Sequence, residues 1–407
     1  MSDHRPDRKR SGFKDKTRLA EARERLLGAV EPHDRTEAIP VADADGRALA
    51  EEVVAERNVP HYRRVAMDGY AVRARDTFGA SDRSPEVLHQ GEEMNPQSAV
   101  RVHTGSELPD GADSVVMIEQ TDEFGDEVEI FDAVAEGENV APVGEDVSAG
   151  QHLYDPGHRL RPSDLGLLTS VGVETVTVRD RPSVAVIPTG EELVQSDPEP
   201  GEVVETNGLT VSRYVERWGG EPTYRDVVTD DVDALAAAIE RDLSADVVVT
   251  TGGSSVGERD LLPEVVADLG EILFHGVALK PGHPVAAGVV AGTPVVMLPG
   301  YPVACIINAV QFLRPVLKRV GGLADDSFPT TDARLDRKIR SEPGTRTFAR
   351  VQVDEEDGER TATPTRASGS GVLSSVALAD GWVEVPEGKE GIPEGEMVSV
   401  QNWEWSA

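Results

Sequence analysis

Cysteine is all but missing from this chain: Cys305 is the only one. One thiol cannot form an internal disulfide, so nothing asks for an oxidising compartment. Long apolar runs are missing too. No stretch approaches the roughly 20 residues that a membrane helix needs, and the polar, basic start at residues 1–16 offers no apolar core for a secretory signal. These absences point to the cytoplasm. Positive charge is scarce, lysine above all. With 74 acidic against 40 basic side chains, the formal charge is −34. That field repels phosphate backbones and disfavours general nucleic-acid binding. The acids are dispersed rather than gathered in one tail. A dispersed acidic surface suits life in high salt, where the Debye length shrinks to about 3 Å at 1 M. A docking surface for a basic partner would ask for clustering, and none is visible.

What is present is enough for folding. The 407 residues exceed one small core and suggest roughly two to four domains, and a hydrophobic share of 39% argues against global disorder. Residues 17–30 place Leu19, Ala22, Leu26, Leu27 and Val30 on one helical stripe. Residues 37–41 read as a strand, 43–46 as a turn and 47–55 as a helix-compatible run. From about 61 to 140, short β-rich pieces (99–103, 114–118, 128–131) alternate with Gly, Pro and Asp turns, as in a small β domain. A proline-serine signal opens a helix around 161–171. After Arg181 the pattern becomes strands at 183–187, 247–251 and 293–298, with helices at 211–218, 233–243 and a long one at 303–320. That alternation predicts a parallel, doubly wound sheet. From about Thr330 short strands return, as in a final small β-barrel or sandwich.

The chemistry gathers at the ends of those strands. The apolar run 247–251 leads straight into Gly252 and Gly253, then Ser254, Ser255 and Gly257. Open α/β sheets bind ligands at the carboxyl ends of strands. Glycines there let backbone amides approach an anion, and hydroxyls add donors. An ordinary tight turn is the competing reading. Glu192 follows a second strand exit. A third, residues 298–303, is stiffened by Pro299 and Pro302, and the 278–284 loop carries Lys280. Three exits and a lysine loop on one sheet edge predict a phosphate or oxyanion site. The segment Ala-Met-Asp-Gly-Tyr-Ala at 66–71 reads by itself as a hairpin with an Asp-Gly turn. Cys305 lies in the apolar start of a helix and reads as core rather than catalytic.

In this order the segments resemble the MoeA family of molybdopterin molybdenumtransferases, related to the E domains of gephyrin and the plant Cnx proteins. Residues 66–71 and 298–303 are similar to the family's signature segments, and 251–260 to its pterin-nucleotide loop. The likeness covers nearly the whole chain. It implies an α/β multidomain fold: a flexible tail (1–16), an elongated N-terminal domain I (17–60 and 139–180), an inserted small β domain II (61–138), a central doubly wound parallel α/β domain III of the molybdopterin-binding fold (181–328), and a C-terminal β-barrel domain IV (329–407). The implied activity is the last step of molybdenum cofactor assembly: insertion of molybdate into adenylyl-molybdopterin with release of AMP. Tungstate, nearly equal in size and charge, is not distinguished from molybdate.

Carried over one position at a time, the family's functional residues fall on Asp68, Thr104 and Asp146 in the N-terminal region, and on Glu192, Asp230 and Asp260 in the central domain. Lys280, Pro299 and Pro302 match the cleft wall, and Thr206 and Asn207 a Thr-Asn motif near the nucleotide. Arg346 and Arg350 lie in a segment resembling the one that supplies an arginine for molybdate, with Ser370 as serine partner. The resemblance casts Asp68, Thr104, Asp146, Glu192, Asp260 and Lys280 as catalytic, and Glu192, Asp230 and Asp260 as ligands of Mg²⁺. Gly252, Gly253, Ser254, Ser255 and Gly257 would cradle phosphates. It further implies a homodimer with Asp68 near the partner's central domain, and transient contacts with molybdopterin adenylyltransferase and apo-molybdoenzymes, without nucleic acid or membrane. Departures thin the positive charge: His283 replaces a common lysine, Gly276 and Ala141 lie where basic residues are usual, and Ala304 replaces a serine. Lys280, His283, Arg346 and Arg350 remain for an anionic substrate. A molybdopterin adenylyltransferase and a competence-damage-type nucleotide pyrophosphatase share the central fold, but the flanking β regions argue against both. A non-enzymatic scaffold would ask for a long linker or docking segment, and neither is present.

Overall fold

The computed structural model describes residues 16–253, 261–365 and 371–405. Contacts divide the chain into two compact units. One comprises Met1–Glu37, Gly46–Ala48 and Arg179–Ala407, the other Ala38–Asp45 and Leu49–Val178.

In the second unit, six short strands form a sheet in the order Ser114–Met117, Gly69–Val72, Ser98–Val102, Glu86–Gln90, Glu127–Ile130 and Thr121–Phe124. Only the Glu86–Gln90 and Ser98–Val102 pairing is parallel among these. Side chains alternate across the strands, so Tyr70 and Val72 join one buried cluster and Ala71 another. The Asp-Gly segment is therefore no hairpin turn. Gly69 starts a strand paired on both sides, and a Cβ there would lie 1.9 Å from the Val116 carbonyl oxygen. The helix-compatible run 47–55 also forms no helix. Leu49 bridges to Val178, and Val53–Val54 pairs with His152–Tyr154. The β-branched valines and a waiting partner strand override the helical spacing.

A third cluster of this unit packs Leu49, Leu160, Val171 and Val178 around Leu168 of the helix Pro162–Ser170. That helix is anchored by buried Asp164. Its carboxylate accepts from the Arg161 amide at 2.9 Å, from the Arg161 side chain at 2.9 and 3.1 Å, and from the Tyr154 hydroxyl at 3.1 Å, with His158 Nε2 at 2.8 Å. Burial opposes the charge, but bonds from Arg161, His158 and Tyr154 outweigh it and hold the carboxyl well below its usual range.

The first unit contains a six-stranded sheet in the order Glu221–Tyr224, Ser183–Pro188, Val247–Thr251, Thr293–Leu298, Ala286–Val290 and Glu271–His275. The first four are mutually parallel, and the last two join antiparallel. The sheet is thus mixed, not wholly parallel. On one face Asn207–Arg217 and the 302–320 region pack with the N-terminal helix Leu19–Gly28. On the other lie Val232–Arg241 and Leu262–Leu269. The expected single helix at 303–320 is interrupted: Pro302–Asn308 and Arg314–Val320 flank a π-turn at Ala309–Leu313. Pro315 cannot donate to the ladder, and a widened turn just ahead of it accommodates the loss. Downstream, Thr330–Leu335, Arg346–Glu356, Glu359–Pro364, Gly381–Val385 and Met397–Gln401 close into a five-stranded barrel, which leaves no open edge. No helix among the described residues is long and apolar enough to cross a membrane.

Replacing Asp164 by alanine removes the shared acceptor of Arg161, Tyr154 and His158, and is expected to destabilise the protein by about 2 kcal/mol. The depressed carboxyl contributes fully above its unfolded value of about 3.9 and loses that contribution as pH falls through the lower folded value. Thermal melts should therefore show a constant gap between wild type and Asp164→Ala near neutrality that narrows in strong acid. A gap below about 1 kcal/mol at neutral pH would show that the cluster is ornamental.

Candidate active site

Parallel pairing places the carboxyl ends of Ser183–Pro188, Val247–Thr251 and Thr293–Leu298 on one edge. Backbone bonds then stitch the exits together. The Thr189 amide donates to the Thr251 carbonyl at 3.2 Å, and the Gly252 amide to Leu298 at 3.0 Å. Glycine is required here. Gly252 has φ +124°, and a Cβ would lie 2.2 Å from the Thr189 carbonyl oxygen; at Gly253, φ +61°, it would lie 2.7 Å from Leu262 Cδ1. The hydroxyls of Thr189, Thr250 and Thr251 are buried at this edge without hydrogen-bond partners among the described residues. Ser254, Ser255, Gly257 and Asp260 lie outside the described residues.

The third exit carries buried Pro299, while Pro302 opens the following helix. Asn207 Nδ2 donates to the Gly300 carbonyl at 2.7 Å, which ties the Thr206–Asn207 pair to this exit. Thr189 bridges to Val228, and the Gly190 amide donates to Val228 at 3.2 Å, so the backbones leading to Glu192 and Asp230 run side by side. Glu192 is exposed and Asp230 half-buried. Among the described residues no group of three or more His, Cys, Asp or Glu could hold a metal ion.

Cations come from the barrel side. Leu279–Lys280 pairs in parallel with the start of Arg346–Glu356, and Lys280 Nζ lies 2.5 Å from Glu342 Oε1. Arg346 is gripped by two carboxylates, Glu384 at 2.8 Å and Glu387 at 2.7 Å. Arg350 Nη2 donates to Ser375 Oγ at 3.3 Å, and burial lowers its pKa. Burial, with the nearby charges of Lys16 and Lys280, lowers the His283 pKa below its ordinary 6.5, so the ring is neutral at pH 7. The four expected cations are therefore unequal: one neutral, one clamped between acids, one buried beside a serine, and one in an exposed ion pair. Ser370 lies outside the described residues.

In the other unit, Asp68 Oδ1 accepts from the Thr104 amide at 2.6 Å and its hydroxyl at 2.9 Å. Those two bonds, the amide first, lower the Asp68 pKa. Asp146 is exposed, its amide donating to Val59 at 2.9 Å. A cavity of about 460 Å³ is lined by Thr104, by Glu145 beside Asp146, and by Ala66 two residues ahead of Asp68.

Family models match the chain in three consecutive stretches: the MoeA N-terminal region (domain I and II) at 17–172, the model described as Probable molybdopterin binding domain at 185–319, and the MoeA C-terminal region (domain IV) at 332–403. A molybdopterin biosynthesis protein of Methanocaldococcus jannaschii is 36% identical, covering 93% of this chain and 94% of its own length. The chain belongs to the MoeA family. The molybdopterin molybdenumtransferase of Bacillus subtilis is 33% identical over 91% of this chain and 92% of its own. The crystal structure of the molybdopterin biosynthesis MoeA protein from Pyrococcus horikosii superimposes with a TM-score of 0.81 at 34% identity, covering 96% of this chain and 99% of that one.

One part of this MoeA site escaped sequence reading. Buried Glu205 accepts the Gly208 amide at 2.7 Å and the Tyr224 hydroxyl on its other oxygen. Burial and that bond push the Tyr224 hydroxyl up to about 12. A Cβ on Gly208 would lie 2.4 Å from the Tyr224 ring. The acid thus fixes the helix Asn207–Arg217 at its start, and with it Asn207. An acid just ahead of a helix is a capping signal; beginning the helix at 211 rather than 207 hid it.

Gly252→Ala forces the first and second exits apart, since backbone atoms at 2.2 Å cannot yield. A displacement near 1 Å at a reacting site costs about 10²-fold in rate. The variant is expected to keep its far-ultraviolet circular dichroism while losing about that much activity. Wild-type turnover would show that the stitched exits do not form the site.

Proposed function

We propose that this chain inserts molybdate into adenylyl-molybdopterin and releases AMP. Family membership carries the pathway, molybdenum cofactor biosynthesis, and the class of enzyme, a molybdopterin molybdenumtransferase. The observation that carries the rest is a single sheet edge where the strand exits are stitched together and Asn207 is tied to the third of them, in a chain matched from 17 to 403. An adenylyltransferase or a nucleotide pyrophosphatase built on the central fold has no need of the 17–172 region.

In this reading the Gly252–Gly253 turn, with Ser254, Ser255 and Gly257, faces the pyrophosphate, and Thr206 and Asn207 flank the nucleotide. Lys280, Arg350 and Ser370 hold molybdate by charge-assisted hydrogen bonds, with Pro299 and Pro302 as a rigid wall and Arg346 anchoring the barrel side. Glu192, Asp230 and Asp260 are hard oxygen donors of the kind Mg²⁺ takes, and the ion would supply charge neutralisation at the pyrophosphate. Asp68, Thr104 and Asp146 serve the same reaction from the N-terminal region. Catalysis is positioning and electrostatics. Cys305 supplies no nucleophile: it is 1% exposed, and burial pushes its thiol pKa up. The four-domain division and action as a cytoplasmic homodimer belong to the same reading, and sedimentation of the purified chain as a monomer would remove the dimer.

Purified protein given adenylyl-molybdopterin, molybdate and Mg²⁺ is expected to release AMP and form molybdenum-loaded pterin, with Asp68→Ala slower by about 10²-fold. Given molybdopterin and ATP it should make no AMP-pterin. AMP-pterin formation without molybdenum insertion would replace this function with the adenylyltransferase.

The dispersed charge of −34 fits a protein of a halophilic archaeon. Raising KCl from about 0.1 M to about 1 M shortens the Debye length from about 10 to about 3 Å, and Tm is expected to rise. A flat or falling Tm argues against the high-salt reading.

A further inference from the structure

The segment that leads into the helix Leu19–Gly28 lies along the loop that carries Lys280. Thr17 pairs in parallel with Val277: its amide donates to the Gly276 carbonyl at 3.0 Å, and its carbonyl accepts from the Ala278 amide at 2.8 Å. Parallel pairing sets Lys16 abreast of Gly276 and Arg18 abreast of Ala278. Both segments belong to one compact unit. Other bonds fix the loop as well. The Val277 amide donates to the His283 carbonyl at 2.9 Å, the Arg346 amide to Ala278 at 2.9 Å, and Asn308 Nδ2 to the Gly282 carbonyl at 3.0 Å. Lys16 therefore starts from a held backbone.

Burial first, and then the charge of Lys16, lower the pKa of His283; the bond from Lys280 first, and more weakly Lys16, lower that of Glu342. A charge felt by both groups lies near both, and Glu342 is the carboxylate paired with Lys280. Neighbouring cations are already engaged: Arg23 reaches Asp325 at 3.3 Å, and Arg25 pairs with Glu21. The half-buried Lys16 side chain makes no hydrogen bond or ion pair among the described residues.

We infer that Lys16 is a substrate-binding residue and that, with Lys280, it holds a tetrahedral oxyanion. Resting on the function proposed above, that oxyanion is molybdate. Two ammonium groups match a dianion in charge and bind it by charge-assisted hydrogen bonds. With His283 neutral, the second charge comes from the N-terminal segment. Such binding is shared by ground and transition states, so loss of Lys16 raises KM for molybdate and leaves kcat.

Three measurements on the full chain test this. At saturating adenylyl-molybdopterin, Lys16→Gln is expected to raise KM for molybdate about tenfold with kcat within about twofold, and Lys16→Arg to recover most of the loss. Calorimetric titration with molybdate alone should show the same weakening. That weakening should persist in a Glu342→Gln background, because Lys16 acts on the anion and not by drawing Glu342 away from Lys280. Equal molybdate affinity of wild type and Lys16→Gln, no molybdate binding by either, or an effect that vanishes with Glu342→Gln overturns the assignment. So does a rise confined to KM for adenylyl-molybdopterin, which would put Lys16 on the nucleotide instead. A wild type that binds molybdate through Lys16 yet releases no AMP overturns the proposed reaction and leaves the assignment standing.

Discussion

The site depends on the close approach of the Gly252 backbone to the exits on either side of it. Parallel strands deliver their carboxyl ends to one edge, but delivery alone leaves loops that can splay. The Gly252 amide bound to Leu298 and the Thr189 amide bound to Thr251 convert three separate turns into one surface. That surface exists only because residue 252 has no Cβ to meet the Thr189 carbonyl. Asn207 then extends the network to Gly300, so the helix start and the third exit move together. Rigidity of this kind lets a site act by positioning.

Charge imposes the second constraint. With acids outnumbering bases 74 to 40, a cation near an anion site is readily quenched by a neighbouring carboxylate. Arg346 is quenched in this way, lying between Glu384 and Glu387, each about a quarter exposed. Lys280 differs, because its partner Glu342 is 65% exposed. An exposed ion pair is worth about 0–1 kcal/mol, so a dianion can displace Glu342, while removing a partner from Arg346 costs more. His283 stays neutral and adds hydrogen-bonding capacity rather than charge.

The fold was legible where burial was complete. Val247–Thr251 and Thr293–Leu298 are buried throughout, and their apolar runs, closed by Gly252 and Pro299, gave both ends correctly. Other strands of the same sheet were not legible. Glu221–Tyr224 contains a proline and is largely exposed, and Ala286–Val290 carries Gly288, whose Cβ would lie 2.5 Å from the Glu271 carbonyl. Neither shows a periodic signal, because what makes each a strand is a neighbour distant in sequence. The same holds for residues 47–55, where partner strands decided against a helix. In the site, glycines and prolines were legible because their backbone roles are local. The acidic partners of Lys280 and Arg346, and the Glu205–Tyr224 pair, were not, since nothing local in the sequence marks them as partners.

Asp68 shows how a short motif acquires meaning from long-range packing. Gly69 begins a strand flanked on both sides and pressed against the Val116 carbonyl, so the preceding residue has little freedom. Thr104, 36 residues away, then places both its amide and its hydroxyl on one oxygen, Oδ1. Two donors on the charged form lower the pKa, so the carboxylate stays ionised well below neutrality. A group held this way is a poor general acid, because it has no proton to give at working pH. It is suited to accept, through Oδ2, a hydrogen bond or a cation. The clamp that orients Asp68 is therefore also what fixes its chemistry as that of an anion.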